Sequence, residues 1–314
     1  MNILLTGACG YIGTSLTRAL LAAGHSVRGV DIQWFGNYVE PHPNLTLVKD
    51  DIRNASTWDL RGIDAVMHLA NVANDPCSDL NSKLNWEVNA LASMFLVERA
   101  IKDGVPRFIF ASSGSVYGVK EEPEVTEDLD LVPISDYNKT KMISERVLLS
   151  YQDRIHLQIV RPATVCGYSP RMRLDLSVNM LTMQALANGK ITVFGGDQTR
   201  PNIHLQDMIR VYLHLLAKGT SMTGVYNAGF ENISILQIAQ TITQSIPAEI
   251  IVTPSNDPRS YRLSSQKLLS SGFEPKFRVA DAISEVTEAY RAGKLKMEDR
   301  WFNIKTMKSL PNLD

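Results

Sequence analysis

Along the first 165 residues, short unbroken apolar runs alternate with longer segments in which apolar residues recur every three or four positions. The runs at 3–6, 27–31, 45–49, 65–69, 108–111 and 157–160 predict strands, and the periodic segments 11–23, 84–102 and 137–151 predict helices. Strands covered by helices on both faces read as continuous apolar runs, because neither face meets water. Alternation of this kind is that of repeated βαβ units, so the expected class is α/β with a doubly wound parallel sheet. After Val165 the rhythm breaks. A stretch rich in Pro, Arg and Gly (166–173) leads to a helix ending near Gly189, a short strand at 191–194 and the turn Gly195-Gly196-Asp197. Helices at 206–217, 235–246 and 280–292 and short strands at 225–228 and 249–252 complete the pattern. The expected organisation is a first domain of residues 1–165 that also takes in 202–229, and a smaller mixed α/β domain built from 166–201 and 230–314.

Composition adds mainly exclusions. With 314 residues and 44 % hydrophobic content, the chain is long enough to bury a full core and needs no disulfide staples. Its 32 Lys and Arg against 33 Asp and Glu leave a formal charge of −1, which encodes no global attraction to nucleic acid or an anionic membrane. An anionic ligand must therefore be held by locally placed groups. Cys9, Cys77 and Cys166 lack metal-type spacing and cannot all pair, which points to a reducing cytoplasm. No apolar run reaches the ~18 residues of a membrane helix, and Met1 is followed at once by strand-like Ile3-Leu4-Leu5, leaving no room for a signal peptide.

The first chemical signal lies directly after the first strand, at Gly7-Ala8-Cys9-Gly10-Tyr11-Ile12-Gly13, which opens the first helix. Glycines there permit a tight turn and close approach of backbone N–H groups to a diphosphate, while the helix N-terminus supplies positive potential. Asp31 ends the second strand, placed to accept hydrogen bonds from an adenosine ribose, and its charge would repel a 2′-phosphate. The expected cofactor of this Rossmann-type domain is thus NAD rather than NADP.

The second signal is Tyr137 and Lys141, four residues apart on one helix face. A phenol titrates near pH ~10, so a tyrosine base must be brought down by about 3 pH units, roughly 4 kcal/mol, and a neighbouring ammonium and a positive nicotinamide ring would help. At the end of the fifth strand stands Ser112-Ser113-Gly114-Ser115-Val116-Tyr117-Gly118, small hydroxyl residues at the carboxyl edge of a parallel sheet, where ligands of open α/β sheets bind.

The spacing Gly-x-x-Gly-x-x-Gly resembles that of the short-chain dehydrogenase/reductase superfamily, and the chain as a whole resembles its extended branch, the NAD-dependent epimerase/dehydratase family acting on nucleotide sugars. By that resemblance Asp51-Ile52 contacts adenine, His68-Leu69-Ala70-Asn71 ends the fourth strand beside the cofactor, and Asn89 matches an Asn of the following helix. The family's catalytic Ser or Thr lies four residues before a Tyr-Gly, which selects Ser113, with Ser112 as its rival, beside Tyr137 and Lys141. Residues 161–167, including Thr164, match the segment that closes over nicotinamide and sugar, and residues 194–207 match the family's Gly-Asp-Gly signature, placing Arg200 on a nucleotide phosphate or ribose. Gly114, Ser115 and Asn179 are further substrate candidates. The usual Arg-Pro-Gly-Asp segment appears as Thr253-Pro254-Ser255-Asn256-Asp257, without its Arg, so either Arg259 or Arg262 is expected to replace it.

The resemblance also narrows the reaction. An acid pair typical of sugar dehydratases is replaced by Gly114-Ser115, a decarboxylase Glu by Ser115, and no His accompanies Cys166 as in the epimerase-reductases. What remains is oxidation of a sugar hydroxyl, by the resemblance the one at carbon 4, by Tyr137, Ser113 and Lys141. If the 4-keto sugar is reduced again on its other face, the enzyme is a 4-epimerase. If the ketone leaves, it is a 4-dehydrogenase, a reading kept open by the unusual segment 74–78; a catalytically silent NAD sensor is the alternative outside enzymology. Surplus apolar residues on the second and third helices (Trp86, Leu91, Met94, Phe95; Met142, Val147, Leu148, Leu149) predict a homodimer through a four-helix contact.

Overall fold

The computed structural model describes residues 1–255 and 260–311. The predicted runs become strands β1 (Asn2–Thr6), β2 (Ser26–Asp31), β3 (Leu45–Lys49), β4 (Ala65–His68), β5 (Arg107–Ala111) and β6 (His156–Pro162). The chain then forms β7 (Thr164–Cys166), β8 (Lys190–Phe194), β9 (Thr199–His204), β10 (Gly224–Ala228), β11 (Glu231–Ser234) and β12 (Glu249–Thr253). One seven-stranded sheet has the order β10-β6-β5-β4-β1-β2-β3, and each neighbouring pair in it is parallel. This is the doubly wound α/β sheet that the alternation of apolar runs and helical segments predicts.

Successive residues of a strand face opposite sides, and the core divides accordingly. Ile3 and Leu5 join Leu16, Leu20, Met208 and Leu215 on one face; Leu4 joins Phe108, Leu96, Val97 and Leu148 on the other. The first face is covered by the helices Tyr11–Ala22 and Leu205–Lys218, the second by Ala92–Lys102 and Asp136–Leu149. The helix expected at 84–102 is broken into Ser82–Trp86, a wide π-type turn at Glu87–Leu91, and Ala92–Lys102. At that turn the side chain of Asn89 reaches out to hold the backbone of Val72.

The remainder was less legible. β7, β9 and β11 form a separate three-stranded sheet, and β8 pairs with β12. β7, β9 and β11 are short or mix polar with apolar residues, which hides them from a hydrophobic pattern, whereas β8 and β12 are the strands expected at 191–194 and 249–252. A third core of Cys166, Val178, Leu181, Ile191, Ile238 and Ile283 lies among them. The chain crosses twice between these parts: β10 returns to the large sheet beside β6, and near the end Trp301 accepts a bond from Leu174 N–H (2.8 Å) while Met307 of the helix Asn303–Ser309 enters the core under β4 and β5. No described helix is long and apolar enough to cross a membrane.

Candidate active site

A cavity of about 480 Å³ opens at the carboxyl edge of the large sheet. Its floor is the glycine turn after β1. Gly7 has φ +75°, and a Cβ there would lie 2.8 Å from the backbone N of Ala70; a Cβ on Gly13 would overlap the carbonyl oxygen of Gly7. No side chain caps the helix Tyr11–Ala22, so the N–H groups of its first turn face the cavity without a side-chain acceptor. Asp31, at the end of β2, accepts from Cys9 N–H (2.9 Å) and Gln33 N–H (2.6 Å). Burial raises its carboxyl above the ordinary range, and these two N–H groups pull it back down. Beyond it Ile32, Trp34, Phe35 and Ile52 form an apolar wall, and Asp51 caps the turn Ile52–Thr57 while pairing with Arg53 at 2.8 Å. Leu69, Ala70 and Asn71 line the opposite side. A turn with glycines at its points of close approach, an uncapped helix N-terminus and a carboxylate at the end of the next strand fit a dinucleotide.

Asn89 does not line the cavity. It is buried and its amide is committed to Val72 N–H (2.8 Å), Val72 C=O (3.1 Å) and Asn85 Oδ1 (2.6 Å), so it holds the wall rather than the ligand. His68 is also structural: it bonds Thr6 Oγ1 (2.7 Å) and Ser93 Oγ (2.9 Å), and burial pushes its ring down to about 3, leaving it neutral.

Ser113, Tyr137 and Lys141 all line the cavity. The helix Asp136–Leu149 starts on Ser135, whose hydroxyl accepts from Asn138 N–H (3.2 Å), and this places Tyr137 in its first turn. Ser113 Oγ lies against the Tyr137 phenol and 2.7 Å from Ser115 Oγ, which in turn donates to Asn138 Oδ1 (2.5 Å). Burial, with the Asp75 carboxylate, pushes the phenol up to about 12, against the pull of Arg173 and Ser113. The helper expected from sequence, Lys141, is turned elsewhere: Nζ donates to Ala111 C=O (2.6 Å) and lies 4.7 Å from the centre of the Phe110 ring, and burial brings it down to about 7. Arg173 is the cation that favours the phenolate in this arrangement. Ser112, the rival of Ser113, lines the cavity too, but it gives its hydroxyl to Glu145, itself tied to Arg161 at 2.6 Å in a buried network.

Thr164 and Ser115 line the cavity; Gly114 does not, and a Cβ there would sit 3.1 Å from Pro162 C=O. Asn179 lies outside the lining too, because its amide is used up by Gly167 N–H (3.0 Å), Arg173 C=O (3.0 Å) and the Tyr11 hydroxyl (3.2 Å). Neither Arg200, half-buried on β9 and engaged there, nor the exposed Arg262 lines it; Arg259 falls outside the described residues. The arginines that do line it among the described residues are Arg171 and Arg173, neither of them a candidate from the sequence. Their signal was available: two arginines in the loop after β7, which follows β6 at the ligand-binding edge of the large sheet. Asn303 and Ile304 also line the cavity, from the far end of the chain, with no local signal at all.

A family model described as "NAD dependent epimerase/dehydratase family" matches residues 3–229. The UDP-glucose 4-epimerase of Lactobacillus helveticus is 28 % identical over 331 residues, covering 96 % of this chain and all of that protein; the dTDP-glucose 4,6-dehydratase of Streptomyces niveus is 26 % identical, covering 93 % of each. Among solved structures, a UDP-glucose 4-epimerase from Thermotoga maritima with UDP-glucose superposes with a TM-score of 0.84 at 26 % identity, over 93 % of this chain and 99 % of that one. A UDP-glucuronic acid 4-epimerase from Bacillus cereus, in complex with UDP-glucuronic acid and NAD, superposes at 0.81 and 28 % identity over the same shares.

Proposed function

Because the chain belongs to the NAD-dependent epimerase/dehydratase family, we propose that it is a nucleotide-sugar 4-epimerase, with Ser113, Tyr137 and Lys141 as its catalytic residues. The observation that carries this reading is the convergence of these three side chains in one cavity with the glycine turn and Asp31. When bound, NAD supplies a hydride acceptor and a positively charged ring. Gly7, Gly10, Tyr11, Ile12 and Gly13 would meet its diphosphate, Asp31 its ribose, Asp51, Ile52, Leu69, Ala70 and Asn71 the rest of its adenosine and linker, and Lys141 the second ribose. Tyr137 takes the proton of the sugar hydroxyl and later returns it, while Ser113 holds the same oxygen in both directions. A phenol lifted to about 12 is a poor base at neutral pH, so the added positive charge is what brings it into range. Ser115, Thr164 and Arg173 border the space left for the sugar. The loop after β5 offers no Asp or Glu beside Ser113, which favours reversible oxidation over elimination.

The test is incubation with UDP-, GDP-, CDP- and dTDP-sugars, following reduced nicotinamide by absorbance and product stereochemistry by NMR. Isomerisation without accumulating NADH is expected; accumulation of NADH or a 4-keto sugar would assign a dehydrogenase instead, and NAD binding without turnover of any sugar would leave only a sensor. Tyr137→Phe should abolish turnover while still binding NAD. The reading includes a homodimer: Trp86, Leu91 and Ile143 stay exposed on the adjoining helices Ser82–Trp86, Ala92–Lys102 and Asp136–Leu149 and their connecting turn, an apolar face suited to a copy of itself. Light scattering that gives a monomer at micromolar concentration would remove it.

A further inference from the structure

Residues 167–173 are stitched to the first turn of the helix Tyr11–Ala22. The Tyr11 hydroxyl donates to Gly167 C=O (2.6 Å), Ser169 Oγ donates to Tyr11 C=O (2.8 Å), and Ser169 Oγ lies 3.3 Å from Ser15 Oγ. Two residues further on, Arg171 is 2 % exposed and lines the cavity together with the glycine turn and Asp31. Its guanidinium lies 4.2 Å over the Phe35 ring and donates to Asn303 Oδ1 (2.5 Å) and Met172 C=O (3.3 Å). Its Nε is buried with no partner, and it forms no ion pair with any described residue. Neither nearby carboxylate is spare: Asp175 is gripped by Arg173 in two contacts of 2.9 Å, and Asp31 by two backbone N–H groups.

A buried guanidinium with no carboxylate in direct contact, drawn to Asp175 and Asp31 only from a distance, is costly, and here it shares its space with an uncapped helix N-terminus, a second positive pole. The ligand that satisfies both is a doubly charged, multi-oxygen anion reached from two sides. We propose that Arg171 clamps the diphosphate of the bound dinucleotide from the side opposite the glycine turn, with Phe35 and Asn303 fixing its plane. The proposal rests on the NAD reading of the site, and it assigns to the cofactor a residue outside the glycine turn and its neighbouring strands.

The full-length protein, stripped of nucleotide, is titrated calorimetrically with NAD, ADP-ribose, adenosine and UDP-glucose, wild type against Arg171→Met. The variant should bind NAD and ADP-ribose about 10- to 100-fold more weakly, the loss expected for a charge-assisted bidentate contact, with adenosine unchanged. Its unliganded melting temperature should not fall, since an unpaired buried charge has been removed, but the stabilisation by NAD should shrink. Unchanged ADP-ribose affinity overturns the proposal, and a lowered unliganded melting temperature with that affinity intact would make Arg171 a packing element. A loss confined to UDP-glucose would place the guanidinium on the substrate's diphosphate. A wild type without affinity for NAD would defeat the cofactor reading itself, and the clamp with it. Should Arg171→Met not survive stripping, NAD retained per chain after gel filtration of Arg171→Lys decides: retention equal to wild type overturns the clamp, reduced retention supports it.

Discussion

Replacing Glu145 by Met should unfold the platform beneath the site more readily than any surface change, and the size of the loss follows from the contacts. Both carboxylate oxygens accept from Arg161, at 3.0 and 3.2 Å from Nε and 2.6 Å from one terminal nitrogen, and the Ser112 hydroxyl donates to the same group. The two side chains are only 5 % and 1 % exposed. Arg161 would keep the Tyr117 hydroxyl (2.7 Å) and Glu127 C=O (3.3 Å), neither of which carries its counter-charge. Leaving one member of a buried pair alone costs about 3–5 kcal/mol, whereas replacing both by apolar residues is often close to neutral. With an unfolding entropy of roughly 2 cal/mol/K per residue, the single variant should melt about 5–8 °C lower. Urea unfolding followed by tryptophan fluorescence and by circular dichroism gives the free energies, and the Glu145→Met/Arg161→Met double variant closes the cycle. The double variant should recover at least about 2 kcal/mol of the single variant's loss. A single loss below about 1 kcal/mol, or a double variant no more stable than the single one, would refute the view that an uncompensated Arg161 is what destabilises.

Two further outcomes follow from the site. Lys141 is held at about 7 by burial, below the ~10.4 of an unfolded lysine, so the unfolded chain binds the extra proton between these values and stability rises with pH across that window. The buried thiols of Cys9 and Cys77, pushed up to about 12, act in the opposite sense, so the measurement is the difference in urea midpoint between wild type and Lys141→Met from pH 7 to 9.5; a difference that does not change with pH would contradict the burial cost. Gly13→Ala forces a methyl into the Gly7 carbonyl and should cost about 1–3 kcal/mol and most NAD affinity, while Gly10→Ala, whose Cβ meets the same oxygen at 3.2 Å, should cost less of both; calorimetric titration that ranks them the other way would dismiss the steric account.

The parts of the site readable from sequence are those whose signal is local. The glycine turn lies between a strand and a helix only a few residues away, and Tyr137 and Lys141 are one helical turn apart, so spacing alone brings them together. The end of β5 marked the Ser112–Ser115 cluster, and the family resemblance selected Ser113 within it. Arg171, Arg173 and Asn303 reach the cavity through contacts between distant segments, and no periodicity encodes those. The two asparagines, Asn89 and Asn179, illustrate the reverse error. Each sits on an element next to the site, but buried amides satisfy their own hydrogen bonds first, and both spend theirs on backbone groups. Arg200, which the family motif assigns to the nucleotide, stands on β9 and does not line the cavity, although β7 of the same sheet supplies Thr164 to it. Lys141 lines the cavity as expected, with its ammonium donated to a carbonyl 2.6 Å away rather than to the phenol one turn back.

Asn303 and Trp301 have a bearing on how the protein is born. A chain that emerges N-terminus first presents the glycine turn and Asp31 before Gly224–Ala228 finishes the sheet edge, and receives Asn303 some 75 residues later still. Throughout synthesis, then, the dinucleotide's cradle stands with one wall missing. Premature termination between Ala228 and Asn303 yields a chain with its principal motifs intact and its pocket open to water.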